Sequence, residues 1–128
     1  MRSHQKEIIS TLKAARSWYP EDHIVVVFQP HTYSRTKSLL TEFGAAFADA
    51  DTVICTGIYA SLRESDTLGL TDMSLYREIL KNHRNVKFAA GPKDIALIIK
   101  SLPLDHGILL FMGAGSIYSW ESEILALL

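Results

Sequence analysis

The densest group of polar residues in the chain lies at positions 29–36, which read Gln-Pro-His-Thr-Tyr-Ser-Arg-Thr. The guanidinium of Arg35 is a planar fork that matches a carboxylate or a phosphate. His31 can donate to the same anion or act as an acid or a base. Ser34 is a typical N-cap residue, and a helix that begins there would direct backbone N–H groups toward an anion. This group of residues therefore predicts an anion site.

A plainer interpretation of the same residues stays open. In it, His31 caps a turn and Arg35 is a solvated residue in the first turn of a helix. The position of this group along the chain supports the anion site, because the group directly follows a β-branched run at 24–28. Ligands of open parallel sheets bind beyond the carboxyl ends of the strands, which is where this group is expected to lie.

A second candidate is the polar segment at 57–66, which follows another apolar run and contains Arg63 and Glu64. Long loops in compact domains are often functional, so these two side chains are candidates to face the same cleft. Alternatively, Arg63 and Glu64 pair with each other at the surface.

The stretch Gly113-Ala114-Gly115 lies at a predicted strand-to-helix turn, where glycines can cradle a phosphate. It lacks the third glycine of a dinucleotide-binding motif, because Tyr118 stands at that position. Tight-turn geometry explains the glycines equally well. A stand-alone nucleotide- or phosphate-binding domain that uses this turn is therefore an alternative function. The only cysteine, Cys55, lies in an apolar run, which favours a core residue over a nucleophile.

Composition and motif searches exclude several classes of protein. The net charge is −1, from 13 basic and 14 acidic residues without a long run of either sign, which argues against a nucleic-acid partner. No spacing of Cys and His indicates a metal site, and no phosphate loop ending in Gly-Lys-Ser/Thr occurs. No apolar stretch approaches the roughly 20 residues that span a bilayer, and the first residues do not resemble a signal peptide. We expect a cytoplasmic protein without a membrane partner.

Helical and strand patterns alternate from end to end. Buried strands are predicted at 24–28, 52–56, 86–90 and 107–112, each separated from the next by a helix. One predicted helix carries Leu39 through Phe47, another packs Met73, Tyr76 and Leu80, and the rings of Trp18 and Trp120 are expected in the core. This order predicts a single Rossmann-like domain over residues 1–128, with three layers (α/β/α) and a mainly parallel sheet.

Residues 26–36 also resemble a motif of a known protein family. The run Phe-Gln-Pro-His-Thr-Tyr-Ser-Arg-Thr is similar to a highly specific motif in the C-terminal domain of the Mur ligases, in the branch that adds L-alanine. Residues 6–16, 58–64 and 110–117 resemble other segments of the same domain. The resemblance covers nearly the whole chain, but only the last part of a three-domain ligase. We therefore expect an excised C-terminal domain.

The resemblance implies an ATP-dependent ligase that joins L-alanine to UDP-N-acetylmuramate in peptidoglycan synthesis. ATP and Mg²⁺ would be bound mainly by the central domain and the UDP-sugar by the N-terminal domain, so this chain alone is expected to have no catalytic residue and no activity. By resemblance, the carboxylate of the amino acid is bound by His31, Thr32, Arg35 and Thr36, and the domain closes over the site. His4 and Tyr33 would lie on the nucleotide side.

Two departures from the family pattern matter. Some members carry an arginine at the position of Thr32, so the carboxylate would have one fewer cationic partner here. The family's Asp-Asp-Tyr-Ala-His-His-Pro loop is reduced to a fragment, in which His4 matches the second histidine and Gln5 stands at the proline. A non-catalytic interaction domain is a further alternative, and it predicts that the His31 loop packs against the fold.

Overall fold

The computed structural model describes residues 4–59, 66–102, 107–113 and 117–128. Its elements, in chain order, are α1 (His4–Trp18), β1 (His23–Gln29), α2 (Tyr33–Ser38), α3 (Leu40–Gly44), β2 (Thr52–Cys55), α4 (Ser74–Leu80), β3 (Val86–Phe88), α5 (Pro92–Ser101), β4 (Gly107–Gly113) and α6 (Ile117–Leu127). The four strands form one sheet in the order β3-β2-β1-β4.

All three strand pairings are parallel, which confirms the predicted α/β class with helices on both faces. β1 is central, and it pairs with β4 over its full length, from His23 opposite Gly107 to Gln29 opposite Gly113. Because all four strands run the same way, their carboxyl ends meet at one edge of the sheet. The order changes direction between β1 and β4, and such a switch point is where ligands of open α/β sheets bind.

β1 is buried on both faces, as its β-branched sequence predicts. Ile24, Val26 and Phe28 face one apolar cluster, which they form with residues of α1, α3 and α4. Val25 and Val27 face a second cluster, to which α5 and α6 contribute. The period-2 alternation of side chains along a strand thus builds the two cores of a three-layer domain.

A hydrogen-bonded ion pair fixes α1 against the amino ends of the strands. Arg16 donates to the carboxylate of Asp51 and to the backbone carbonyl of Asp22. Asp51 also accepts a hydrogen bond of 2.8 Å from the backbone N–H of Ile24. Burial alone raises the pKa of the Asp51 carboxyl group, but the hydrogen bonds from Arg16 and Ile24 and the charges of Arg16 and His23 lower it below its ordinary value.

The helix predicted through Leu39 and Phe47 is interrupted. α2 ends at Ser38 and α3 begins at Leu40, because Leu39 adopts φ −114° and ψ 16°, outside the helical region. Phe43 and Phe47 are still buried as the apolar pattern predicts, but Phe47 lies beyond the end of α3. The hydrophobic spacing therefore identified the buried side chains correctly and missed the break in the backbone.

Two predictions about buried side chains are wrong. α4 buries Leu75 and Ile79, which lie one turn apart, and it leaves Leu80 47% exposed, because the apolar face of the helix is rotated from the predicted one. Trp18 is 78% exposed, since it is the last residue of α1 and extends past the layer that α1 covers. Trp120 does pack against the second cluster. None of the helices in the described ranges is long and apolar enough to cross a bilayer.

Candidate functional site

The loop between β1 and α2 carries the predicted anion site. Gln29 is the last residue of β1, His31 lies in the connecting loop, and Arg35 lies in the first turns of α2. His31 is half-buried and Arg35 is exposed, so neither is sealed beneath other side chains. The structure thus positions both residues beyond the carboxyl end of the central strand, with Arg35 accessible to a ligand.

Thr32, and not Ser34, caps α2. The hydroxyl oxygen of Thr32 accepts a hydrogen bond of 3.2 Å from the backbone N–H of Arg35, whereas Ser34 lies inside the helix. The prediction of Ser34 as the N-cap was therefore wrong by two positions, because the helix begins at Tyr33 directly after the loop. α2 has only six residues, so its dipole is short, and binding of an anion here rests on side chains.

Thr32 also has an unusual backbone conformation, with φ 60° and ψ 148°. A β-branched residue rarely adopts a positive φ, and such strain persists only where surrounding contacts hold it. The Thr32 carbonyl accepts hydrogen bonds from both the backbone N–H (3.2 Å) and the hydroxyl (2.7 Å) of Thr36. Thr36 is fully buried, so its hydroxyl holds this loop in place.

The segment after β2 lies beside this loop. His31 and Tyr59 form an isolated parallel bridge, which extends the pairing of β1 and β2 beyond the ends of the two strands. Backbone hydrogen bonds of 2.8 Å join Thr32 N–H to the Tyr59 carbonyl, and Tyr59 N–H to the Pro30 carbonyl. Arg63 and Glu64, the two candidates predicted in this segment, lie outside the described residues. Tyr59 was not among the predicted site residues, and its signals were its place in the loop after β2 and in the run 58–64 that resembles the family.

A cavity of about 360 Å³ opens at the switch point between β1 and β4. Its walls come from the first turns of α1 and from the last residues of the two strands: Glu7, Ile8, Thr11, Phe28, Phe111, Met112 and Gly113. His31 and Arg35 do not line it. His4, a candidate for the nucleotide side, begins the helix whose first turns form one wall. Tyr33, the other such candidate, is half-buried at the start of α2.

Close packing explains why residue 113 is a glycine, without any role in phosphate binding. Its φ is 117°, and a Cβ atom added there would lie 2.1 Å from the carbonyl oxygen of Gln29. Only glycine permits such a close approach of the two backbones. Residues 114–116, which contain the rest of the Gly-Ala-Gly turn, lie outside the described residues.

Cys55 is not a candidate nucleophile. Its side chain is fully buried at the end of β2, and burial raises the pKa of its thiol from 9.0 to about 12. A thiol of this kind stays protonated at neutral pH and packs as a small apolar residue. The prediction that Cys55 belongs to the core is confirmed.

The fold and the polar loop define an open parallel α/β domain with a candidate anion site beyond its central strand, and comparisons with known proteins identify its family. The family model described as the glutamate ligase domain of Mur ligases matches residues 3–115. The chain therefore belongs to the Mur ligase C-terminal domain family.

Curated relatives place the chain close to one branch of this family. It is 41% identical over 122 residues to a UDP-N-acetylmuramate–L-alanine ligase from Caldanaerobacter subterraneus subsp. tengcongensis, a match that covers 95% of this chain and 26% of that protein. The enzyme of the same name from Streptococcus sanguinis is 39% identical over 125 residues, covering 98% of this chain and 27% of that protein. The chain thus spans about a quarter of the length of these relatives.

Solved structures agree on the fold. The UDP-N-acetylmuramate–alanine ligase of Thermotoga maritima superposes with a TM-score of 0.68 at 22% identity, covering 97% of this chain and 24% of that one. A murein peptide ligase from Psychrobacter arcticus superposes with a TM-score of 0.73 at 13% identity, covering 99% of this chain and 26% of that one.

Proposed function

We propose that this chain is the C-terminal domain of an ATP-dependent ligase that joins L-alanine to UDP-N-acetylmuramate, and that its β1–α2 loop binds the carboxylate of alanine. The observation that carries the proposal is the position of His31 and Arg35, which follow the central strand of a Mur ligase C-terminal fold with Arg35 exposed. The names of the curated relatives support the choice of alanine and of the UDP-sugar.

The chemistry requires the amine of alanine to attack an activated carboxyl group. In the proposed reaction, the muramyl carboxylate takes the γ-phosphoryl group of ATP and ADP leaves. The amine then attacks the acyl phosphate, and phosphate and a proton leave as the amide forms. A guanidinium group that binds the alanine carboxylate fixes the amino acid at that end and directs its amine toward the acyl phosphate. Closure of this domain over the site would exclude the water that otherwise hydrolyses the acyl phosphate.

Within the proposed site, Arg35 is the main anion-binding group. His31 provides a second donor, and Thr32 provides the cap that sets the start of α2. Thr36 acts through Thr32, because its buried hydroxyl donates to the Thr32 carbonyl. Two side chains thus supply the hydrogen-bond donors of the proposed site, and two threonines fix the loop that carries them.

ATP and Mg²⁺ would be bound chiefly by the other domains of the ligase. Within residues 4–59, 66–102, 107–113 and 117–128, no three side chains of His, Cys, Asp or Glu converge to hold a metal ion. The cavity between β1 and β4 and the nearby start of α1 at His4 form the surface that we assign to the nucleotide side.

Steady-state kinetics of the intact ligase test the proposal. Arg35→Ala should raise the KM for L-alanine about 10- to 100-fold, because a hydrogen bond to a charged group is lost, and leave the KM for ATP nearly unchanged. Lys37→Ala is the matched control, since it removes the same charge from α2 but its ammonium group is bonded to the Leu68 carbonyl. An unchanged KM for alanine in Arg35→Ala would exclude Arg35 from the role.

The 128-residue chain on its own should neither hydrolyse ATP nor form the amide, because the activating groups lie in other domains. The measurement is phosphate release and product formation by the purified chain, with His31→Ala as the background control. Activity well above that control would contradict the proposal.

A further inference from the structure

We propose that Tyr59 is a positioning residue for the anion site in the β1–α2 loop, an inference that rests on the function proposed above. Tyr59 follows β2, the strand beside β1, and three contacts join it to the loop. Its N–H donates to the Pro30 carbonyl, its carbonyl accepts from Thr32 N–H, and its ring lies 5.7 Å from the imidazole of His31, between centroids.

The ring contact restrains His31. The planes of the two rings are inclined by 34°, and their centroid distance lies in the range of favourable aromatic pairs. Tyr59 is 41% exposed and His31 is half-buried, so the pair lies at the surface and part of the imidazole remains open to a ligand. A phenol ring packed beside the imidazole reduces the orientations that His31 samples before an anion arrives.

The backbone contacts act on the other half of the site. The hydrogen bond from Thr32 N–H to the Tyr59 carbonyl is one of the contacts that hold Thr32 at its positive φ. Thr32 in turn caps α2 through the backbone N–H of Arg35. Tyr59 thus fixes the residue that sets where α2 begins, and with it the direction from which the Arg35 side chain leaves the helix.

The segment that carries Tyr59 is itself fixed by Asp72. The N–H of Ile58 donates to a carboxylate oxygen of Asp72 at 3.3 Å. The carboxyl group of Asp72 also packs against Gly57, where an added Cβ atom would lie 2.9 Å from it. Asp72 precedes α4, so the segment that carries Tyr59 is fixed to the body of the domain before it reaches the loop of His31.

The test is steady-state kinetics of the intact ligase with Tyr59→Ala, Tyr59→Phe and Tyr19→Ala. Removing the Tyr59 ring should raise the KM for L-alanine about three- to tenfold, the worth of an aromatic contact, while kcat and the KM for ATP change less than about twofold. Tyr59→Phe keeps the ring and should behave as wild type. Tyr19→Ala removes another exposed tyrosine, 47% exposed at the far end of α1, and should have no effect on the KM for alanine.

Three other outcomes would overturn the inference, and each can be told apart from the other two. If Tyr59→Ala leaves the KM for alanine unchanged while His31→Ala raises it, Tyr59 does not position the site, although the proposed function stands. If Tyr59→Phe is as impaired as Tyr59→Ala, the hydroxyl group and not the ring acts, and the positioning argument fails. If His31→Ala and Arg35→Ala both leave the KM for alanine unchanged, the proposed function fails and this inference fails with it.

Discussion

The side chain of Gln29 spans the carboxyl edge of the sheet and caps a helix far away in sequence: its Oε1 atom accepts a hydrogen bond of 3.0 Å from the backbone N–H of Ile117. Ile117 is the first residue of α6, and helix N-termini leave their first N–H groups without intrahelical partners. Gln29 is 4% exposed, so the bond forms in the interior. Gln29, the first residue of the polar group at 29–36, therefore has a structural role.

Replacing Gln29 should destabilise the domain. Gln29→Met keeps the volume of the side chain but leaves the Ile117 N–H without this acceptor in a buried position, at a cost of about 1 to 3 kcal/mol. The measurement is the free energy of unfolding in urea. Gln5→Met, a half-buried glutamine near the start of α1, is the matched control and should change stability far less. Equal stabilities of the two variants would show that the hydrogen bond contributes nothing.

Three glycine substitutions should separate close packing from backbone strain. Gly113→Ala should cost about 4 kcal/mol or more, because its Cβ atom would overlap the Gln29 carbonyl at a positive φ. Gly69→Ala has a φ of 80° but open space around it, so about 1 to 2 kcal/mol is expected from strain alone. Gly91→Ala has neither constraint but replaces the N-cap residue of α5, so a loss of about 0.5 to 1 kcal/mol is expected. Thermal or urea unfolding of the three variants gives the order, and a mild effect at Gly113 would contradict the packing argument.

Thr32 should tolerate glycine better than alanine. Thr32→Ala loses the cap of α2, worth about 1 kcal/mol, and retains a side chain at a φ of 60°. Thr32→Gly also loses the hydroxyl group but relieves the strain of a positive φ. The free energy of unfolding should therefore fall more for alanine than for glycine. The opposite order would mean that the positive φ at Thr32 carries no strain.

The buried thiol of Cys55 predicts a pH dependence in alkaline solution. The pKa of the thiol is raised to about 12 in the folded chain, so the unfolded chain, with its pKa near 9.0, loses the proton first as the pH rises. The stabilising contribution is fully present below pH 9.0 and declines above it, by about 1.4 kcal/mol per pH unit. Urea unfolding of the wild-type and Cys55→Ala chains between pH 8 and about pH 10.5 isolates this contribution, since all other groups are common to both. A constant difference in stability across this range would be evidence against deep burial of the thiol.

Two of the strands, β1 and β2, could be predicted because they are buried on both faces. β1 reads as a continuous apolar run, and such a run has few alternatives to a central parallel strand. β4 reads the same way, but it lies at the edge of the described sheet and is only half-buried. Cys55 could be predicted as a core residue for the same reason, because it lies in an apolar run. The motif at 26–36 was sufficient to indicate the Mur ligase family, because its order of residue types is unusual.

The errors concern features that depend on tertiary contacts. The sequence around position 32 does not show that Thr32, rather than Ser34, caps α2. The choice depends on the positive φ of Thr32, which is held partly by Tyr59 in the loop after β2. The break at Leu39 is equally invisible, because Leu39 is the first residue of the apolar pattern and nothing in that pattern shows that α2 ends just before it. The bond between Gln29 and Ile117 joins residues 88 apart in sequence. Whether a helix-end tryptophan such as Trp18 is covered depends on how far the neighbouring layer extends.

The central claim, that Arg35 and His31 bind the carboxylate of alanine, is tested most directly by removing that carboxylate from the substrate. The measurement compares kcat/KM for L-alanine with kcat/KM for L-alaninamide in the intact ligase, for wild type and for Arg35→Ala. Wild type should strongly prefer L-alanine, and Arg35→Ala should reduce that preference about tenfold or more, because the two changes remove the same interaction. If Arg35→Ala lowers both values by the same factor and the preference is unchanged, Arg35 does not bind the carboxylate and the account is contradicted.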